Sequence, residues 1–139
     1  MVNILSWSDS LATGFMEVDL QHKKLISIID SVFQTIKEYD PEYALKMAKI
    51  LKQLTDYTEY HFSEEESLMK RHGFPGFEGH KKQHDDFVAK VGKEIHLLAQ
   101  ASPDDGYLFY RFLGTWLLEH IAKSDHAWAE WLRDRGVRD

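Results

Sequence analysis

Three short stretches of this chain set metal-ligating or acid–base side chains at helical spacing. HFSEE puts His61 and Glu65 four residues apart, HKKQH does the same for His80 and His84, and HIAKSD separates His120 from Asp125 by five. Four residues is one helical turn, so the members of each i,i+4 pair point the same way. His22 adds an imidazole three residues before Leu25, on an otherwise apolar stripe. Burying such groups without partners costs a few kcal/mol each, so something inside the fold must satisfy them.

Singly, each of these signals is weak. A lone inward histidine is more often a hydrogen-bonded core residue than a ligand, and an i,i+4 histidine pair gains interest only because it can grip one ion from one helix face. In HIAKSD, five residues advance about 500°, which leaves Asp125 about 140° from His120 on a straight α-helix. Either Asp125 reaches around, or a local π-type bulge realigns it, or it faces solvent. His72, His96 and His126 are expected at surface or half-buried structural positions.

The joint pattern is stronger. Five imidazoles (His22, His61, His80, His84, His120) and two carboxylates (Glu65, Asp125) would have to lie at one level of the fold. A purely structural core would need a separate partner for every one of them. Metal satisfies them together. Seven donors exceed what one first-row ion takes, whereas two ions sharing two carboxylates use them all. Nitrogen and oxygen donors without sulfur suit iron, manganese or zinc.

The elements that must position these groups follow from hydrophobic periodicity. Four helices are predicted, over about 19–39, 41–72, 79–100 and a last one extending to about 133. Asp40-Pro41 is read as a cap and first helical position, and GFPGFEG (73–79) and SPDDG (102–106) as breaks. Glu64 and Glu66 flank Glu65 and are expected to turn away into solvent. Short connections between long amphipathic helices make neighbours antiparallel. The expected fold is all-α: one domain over 1–139, an up-down-up-down antiparallel four-helix bundle (19–133) preceded by an N-terminal arm (1–18) packed through Trp7 and Leu11. Trp128 and Trp131 are read as core or contact surface.

Composition narrows the function classes. Seventeen basic against twenty-three acidic residues give a net charge of −6, which argues against a nucleic-acid partner. The absence of cysteine removes disulfides, thiolate catalysis and sulfur-ligated metal. No stretch approaches the ~18 consecutive apolar residues of a membrane span, and MVNILSWSDS lacks the features of a signal peptide. A soluble cytoplasmic protein without a membrane partner is the expectation.

With these residues in view, the chain resembles the hemerythrins, and within them the single-domain bacteriohemerythrins. The resemblance is carried by Trp7, GFMEVDLQHKKL (14–25), HFSEEESLM, FPGFEGHKKQHDDF and WLLEHIAKSD, which together span nearly the whole sequence. It implies a non-haem di-iron centre that binds O2 reversibly. His80, His84 and His120 would hold one iron, and His22 and His61 the other, which keeps a position open for O2. Glu65 and Asp125 would each bridge the two irons beside an oxo or hydroxo group. Leu117 matches a position lining the O2 site, with Trp116, Leu113, Ile26 and Phe62 as further pocket candidates. An O2 carrier, storage or delivery protein that is not an enzyme is implied, with an O2-consuming enzyme as recipient and a monomer as the expected state.

Rival functions leave fewer marks. A ferritin-like di-iron oxidase uses paired Glu-x-x-His motifs, and no glutamate here is followed by histidine three residues on. A zinc hydrolase of the HExxH type would need a glutamate where Lys81 stands. The alternatives kept are a sensor domain for O2, redox state or nitric oxide in a signalling protein, and an oxidase or peroxidase-type activity at the di-iron site.

Overall fold

In a computed structural model, the described residues are 2–98 and 102–138. They form α1 (Met16–Lys37), α2 (Tyr43–Arg71), α3 (Phe77–Leu98) and α4 (Pro103–Glu119). A π-helical segment, His120–Asp125, continues α4 into α5 (His126–Asp134) as one rod. α1 packs against α2 and α4, α2 against α3, and α3 against α4, which makes an up-down-up-down four-helix bundle. No described helix is long and apolar enough to cross a membrane.

Helix starts depart from the sequence expectation for local chemical reasons. SPDDG is not a break but the start of α4. The Ser102 hydroxyl accepts a hydrogen bond from the Asp105 amide at 3.3 Å, Pro103 fills the first turn, and Asp104 and Asp105 face the positive end of the helix dipole. Pro41 stands in a turn rather than at the first helical position. Asp40 closes that turn by accepting from the Glu42 amide at 2.8 Å, and α2 begins at Tyr43. α1 begins at Met16 rather than near 19, because Asp19 reaches back to accept from the Thr13 amide and hydroxyl, both at 2.8 Å. Gly14 makes the entry with φ +89°, a conformation costly for any residue with a Cβ. The expected end of the third helix at Gln100 lies outside the described residues.

The arm is fastened by named contacts. The Ile4 amide donates to Tyr110 Oη at 2.9 Å, and Tyr107 Oη donates to the Val2 carbonyl at 2.8 Å. Leu5 and Leu11 are buried, and Lys23 sits over the Trp7 ring at 4.9 Å.

Two hydrophobic clusters fill the bundle. The larger includes Leu25, Ile26, Ile29, Leu54, Phe62, Leu113, Leu117 and Ile121. The smaller gathers Phe15, Val18, Met69, Trp128, Ala129 and Leu132. His22 lies between Val18 and Leu25 on α1, Glu65 between Phe62 and Met69 on α2, and Asp125 between Ile121 and Trp128. A polar layer therefore separates two apolar ones. Trp128 is fully buried and Trp131 is partly buried against the smaller cluster.

Candidate metal centre

All seven residues singled out in the sequence meet in that polar layer. Each is at most 4% exposed. They fall into two overlapping groups whose ligand atoms lie within 4.8 Å of one another: Glu65, His80, His84, His120 and Asp125, and His22, His61, Glu65 and Asp125. The two carboxylates belong to both.

The geometry assigns one carboxylate oxygen to each half. Glu65 Oε2 lies 3.0 Å from His22 Nε2 and 3.0 Å from His61 Nε2, while Oε1 lies 3.4 Å from His80 Nε2 and 3.3 Å from His84 Nε2. Asp125 repeats the division. Its Oδ2 is 3.0 Å from His22 Nε2, and its Oδ1 is 3.1 Å from His80 Nε2 and 3.3 Å from His120 Nε2. Asp125 can do this because His120–Asp125 is π-helical. Hydrogen bonding from i to i+5 widens the turn and brings the fifth residue back over the first, so the bulge reading holds and the solvent-facing one does not. Trp128 Nε1 donates to Asp125 Oδ1 at 3.1 Å and steadies it.

The outward nitrogens of three imidazoles are held by residues that sequence reasoning did not single out. His61 Nδ1 is 2.7 Å from Gln21 Oε1, His120 Nδ1 is 3.0 Å from Gln83 Oε1, and His84 Nδ1 is 2.8 Å from Glu66 Oε2. Ser124 Oγ donates to the same Gln83 oxygen at 2.7 Å, which makes that oxygen the acceptor. Glu66 corrects the expectation that it stays solvated. One residue past Glu65, it turns about 100° around α2, and that direction faces α3 rather than water. Glu64 is exposed, as expected. Adjacency to a ligand in sequence (Gln21 to His22, Glu66 to Glu65, Gln83 to His84) is the only local signal these three carried, and each serves a histidine of another helix.

These partners bear on whether the donors fit a metal. An Nδ1–H donating to Glu66 or Gln83 leaves the Nε2 of a neutral ring as a bare lone pair. His84 Nε2 and His120 Nε2 then face each other at 3.0 Å, which is repulsive unless a cation lies between. Asp125 Oδ2 is a buried acceptor without a partner in hydrogen-bonding geometry, although His22 Nε2 is near it. The donor set fits two cations.

Charge follows the same geometry. Burial opposes the charged form of His22, yet the carboxylates of Asp125 and Glu65, each 3.0 Å from its Nε2, outweigh it and raise its pKa to about 10. His80 is raised to about 9 against the same burial, by the same two carboxylates. Burial also opposes ionised Glu65, but the His61 charge and hydrogen bonds from His22, His61 and His80 hold its carboxyl well below the usual range. Asp125 is likewise lowered, through His120 and His22, against burial and the Glu65 charge.

Aromatic packing fixes the three-histidine half. Phe62 lies parallel to His84 at 3.7 Å and Trp116 to His120 at 4.5 Å. Phe87 stacks on Trp116 at 4.0 Å. Phe62 is thus set chiefly against His84, with His61 at 5.9 Å. Leu113, Leu117 and Ile26 are buried in the larger cluster, at 0%, 3% and 7% exposure. His72 and His96 are exposed, and half-buried His126 lies 3.2 Å from the Leu11 carbonyl.

A four-helix bundle with a histidine–carboxylate layer across its middle defines a class of cation-binding helical domain, and comparison with known proteins places the chain within it. The Hemerythrin HHE cation binding domain family matches residues 13–132, and the chain belongs to the hemerythrin family. It is 33% identical over 129 residues to the bacteriohemerythrin of Pseudomonas aeruginosa strain LESB58, covering 93% of this chain and 82% of that protein. The bacteriohemerythrin of Clostridium acetobutylicum is 30% identical over 127 residues, covering 89% and 98%. The myohemerythrin of Sipunculus nudus is 30% identical over 119 residues, covering 86% of each. In structure, the chain superposes on a wild-type hemerythrin crystal structure with a TM-score of 0.78 at 26% identity, over 92% of this chain and 97% of that one.

Proposed function

We propose that this protein holds two iron ions and binds O2 reversibly, as a carrier, storage or delivery protein. The observation that carries the reading is the split of both carboxylates. Glu65 and Asp125 each offer one oxygen to the His22/His61 side and the other to the side of His80, His84 and His120. In this reading His80, His84 and His120 hold one iron, His22 and His61 hold the other, and the two carboxylates bridge. A pair of ferrous ions supplies the two electrons on which reversible O2 binding draws.

The protein's own residues account for reversibility. The two-histidine half has one fewer imidazole, and in this reading an exogenous ligand would be admitted there. Leu117, Leu113 and Ile26 are buried in the larger apolar cluster, and in this reading they would exclude water from the bound ligand. Trp116 and Phe62 hold the His120 and His84 rings, and Gln21, Gln83 and Glu66 fix the tautomers of His61, His120 and His84. Among the described residues, the buried Asp, Glu, His, Lys and Arg side chains are these seven alone. Among the described residues no further buried acid is left to protonate a bound ligand, which in this reading favours release over O–O cleavage and a carrier over an oxidase.

The deciding experiment is metal analysis followed by visible spectra of the reduced protein through cycles of air and argon. Two irons per chain with a band that appears and disappears reversibly is the expected result. Zinc as the native metal, or irreversible oxidation on first exposure to air, would overturn the proposal.

A further inference from the structure

Thr58 uses its hydroxyl unlike two other helical threonines. Thr35 Oγ1 donates to the Ser31 carbonyl at 2.8 Å and Thr55 Oγ1 to the Leu51 carbonyl at 2.9 Å, the usual i−4 bond of a helical threonine. Thr58 is 4% exposed, and its hydroxyl has no hydrogen-bond partner. Buried hydroxyls are rarely left so, because the hydration they give up is not replaced.

Its position suggests what the hydroxyl is for. Thr58 precedes His61 by three residues on α2. Leu25 and Ile26 follow His22 by three and four on α1, and Leu117 precedes His120 by three on α4. α2 runs antiparallel to α1 and parallel to α4, so Thr58, Ile26 and Leu117 occupy one level of the bundle, a turn away from the histidines. Leu25, Ile26 and Leu117 at this level belong to the larger apolar cluster, which the reading above places beside the bound ligand. The His22 and His61 rings, which belong to the two-histidine half, are 4.7 Å apart. Of the other buried polar atoms without partners among the described residues, His22 Nδ1 and Asp125 Oδ2 belong to the centre itself and Tyr43 Oη lies at the far end of α2. Thr58 thus carries an unpaired hydroxyl at a level whose residues Leu25, Ile26 and Leu117 are buried hydrocarbon.

We propose that Thr58 is a specificity-determining residue of this pocket, its hydroxyl donating a hydrogen bond to the small ligand admitted at the two-histidine half. The role rests on the di-iron reading given above. A donor at this place favours ligands whose outer atom carries negative charge, and azide is such a probe.

The test titrates azide into the oxidised, iron-loaded protein, followed by visible absorption, for the parent, Thr58→Val and Thr58→Ser. Losing one net hydrogen bond should weaken azide binding by about three- to tenfold in Thr58→Val. Thr58→Ser keeps the hydroxyl and should stay within about twofold of the parent, well inside that margin. Without azide, iron-loaded Thr58→Val should unfold at the same temperature as the parent or higher, because no bond within the protein is lost. Equal azide affinity in Thr58→Val and the parent would overturn the role, as would a lower unfolding temperature, which would mean that the hydroxyl is bonded within the fold. Failure of the parent to take up an iron pair would instead bring down the di-iron reading, and the role of Thr58 with it.

Discussion

Glu66 offers the sharpest test of how the centre is held. Its Oε2 lies 2.8 Å from His84 Nδ1, and its side chain is 20% exposed. The corresponding partners of His61 and His120 are neutral glutamines, so Glu66 is the carboxylate among them. A hydrogen bond to a charged group is worth about 1.5–3 kcal/mol, and partial exposure argues for the lower half of that range. Removing such a supporting partner typically weakens metal binding by about 10- to 100-fold. Glu66→Ala should therefore weaken affinity for a divalent ion by at least about tenfold, or roughly 1.4 kcal/mol. Glu66→Gln restores the kind of neutral acceptor that Gln21 and Gln83 provide, and it should lose only about threefold. Competition against a chromophoric chelator measures all three proteins, with thermal unfolding as a control for folding. An affinity for Glu66→Ala within about twofold of the parent would refute the argument, because the loss expected of a supporting partner would be missing. So would equal losses in Ala and Gln, which would point to packing rather than hydrogen bonding.

Other perturbations test separate links. Leu117→Ala opens space in the apolar cluster one turn from His120 and should speed autoxidation of the oxygenated protein while lowering stability by about 2–5 kcal/mol, and equal autoxidation rates would count against a water-excluding role. Asp125→Ala removes a carboxylate shared by both halves, so metal analysis should find fewer than two irons per chain, with two irons refuting the bridge. The pH dependence has a definite sign. His22 and His80, raised to about 10 and about 9, stabilise the chelator-treated protein fully below about pH 6.5, and that contribution fades as pH rises through 9 to 10. Glu65 and Asp125, both lowered, contribute above the ordinary carboxylate range and lose that contribution as pH falls below it. Metal displaces the histidine protons, so apparent metal affinity should rise from pH 6 to 9, and calorimetry in buffers of different ionisation heat should detect proton release.

Much of this centre is legible along the chain because helical periodicity is a local property. Residues three and four apart share a face whatever lies opposite, so His61 with Glu65, His80 with His84, and His22 beside Leu25 declare their direction before any folding is considered. The outward-facing i,i+4 pairs Lys81–Asp85 and Lys82–Asp86 obey the same rule on the opposite side of HKKQH. Asp125 marks where the rule stops. Spacing alone admitted three orientations for it, and the π-helical segment that selects one is held in place by partners on other elements: Gln83 on α3, His22 on α1 and His80 on α3.

Glu66 went astray for a related reason. Its angle on α2 is a matter of sequence, but whether that angle meets water or α3 depends on the rotation of one helix against another. Gln21 and Gln83 share this character, each reaching a histidine about forty residues away in the chain. The unpaired hydroxyl of Thr58 is a tertiary fact as well, since Thr35 and Thr55 carry the same group on the same kind of helix and satisfy it locally. The identity of the donors and the face each one takes are encoded within single turns of helix. Which oxygen serves which half, and what holds each imidazole, is decided only when four helices pack at fixed rotations, because angstrom-scale distances between helices are set by packing and have no counterpart in local periodicity.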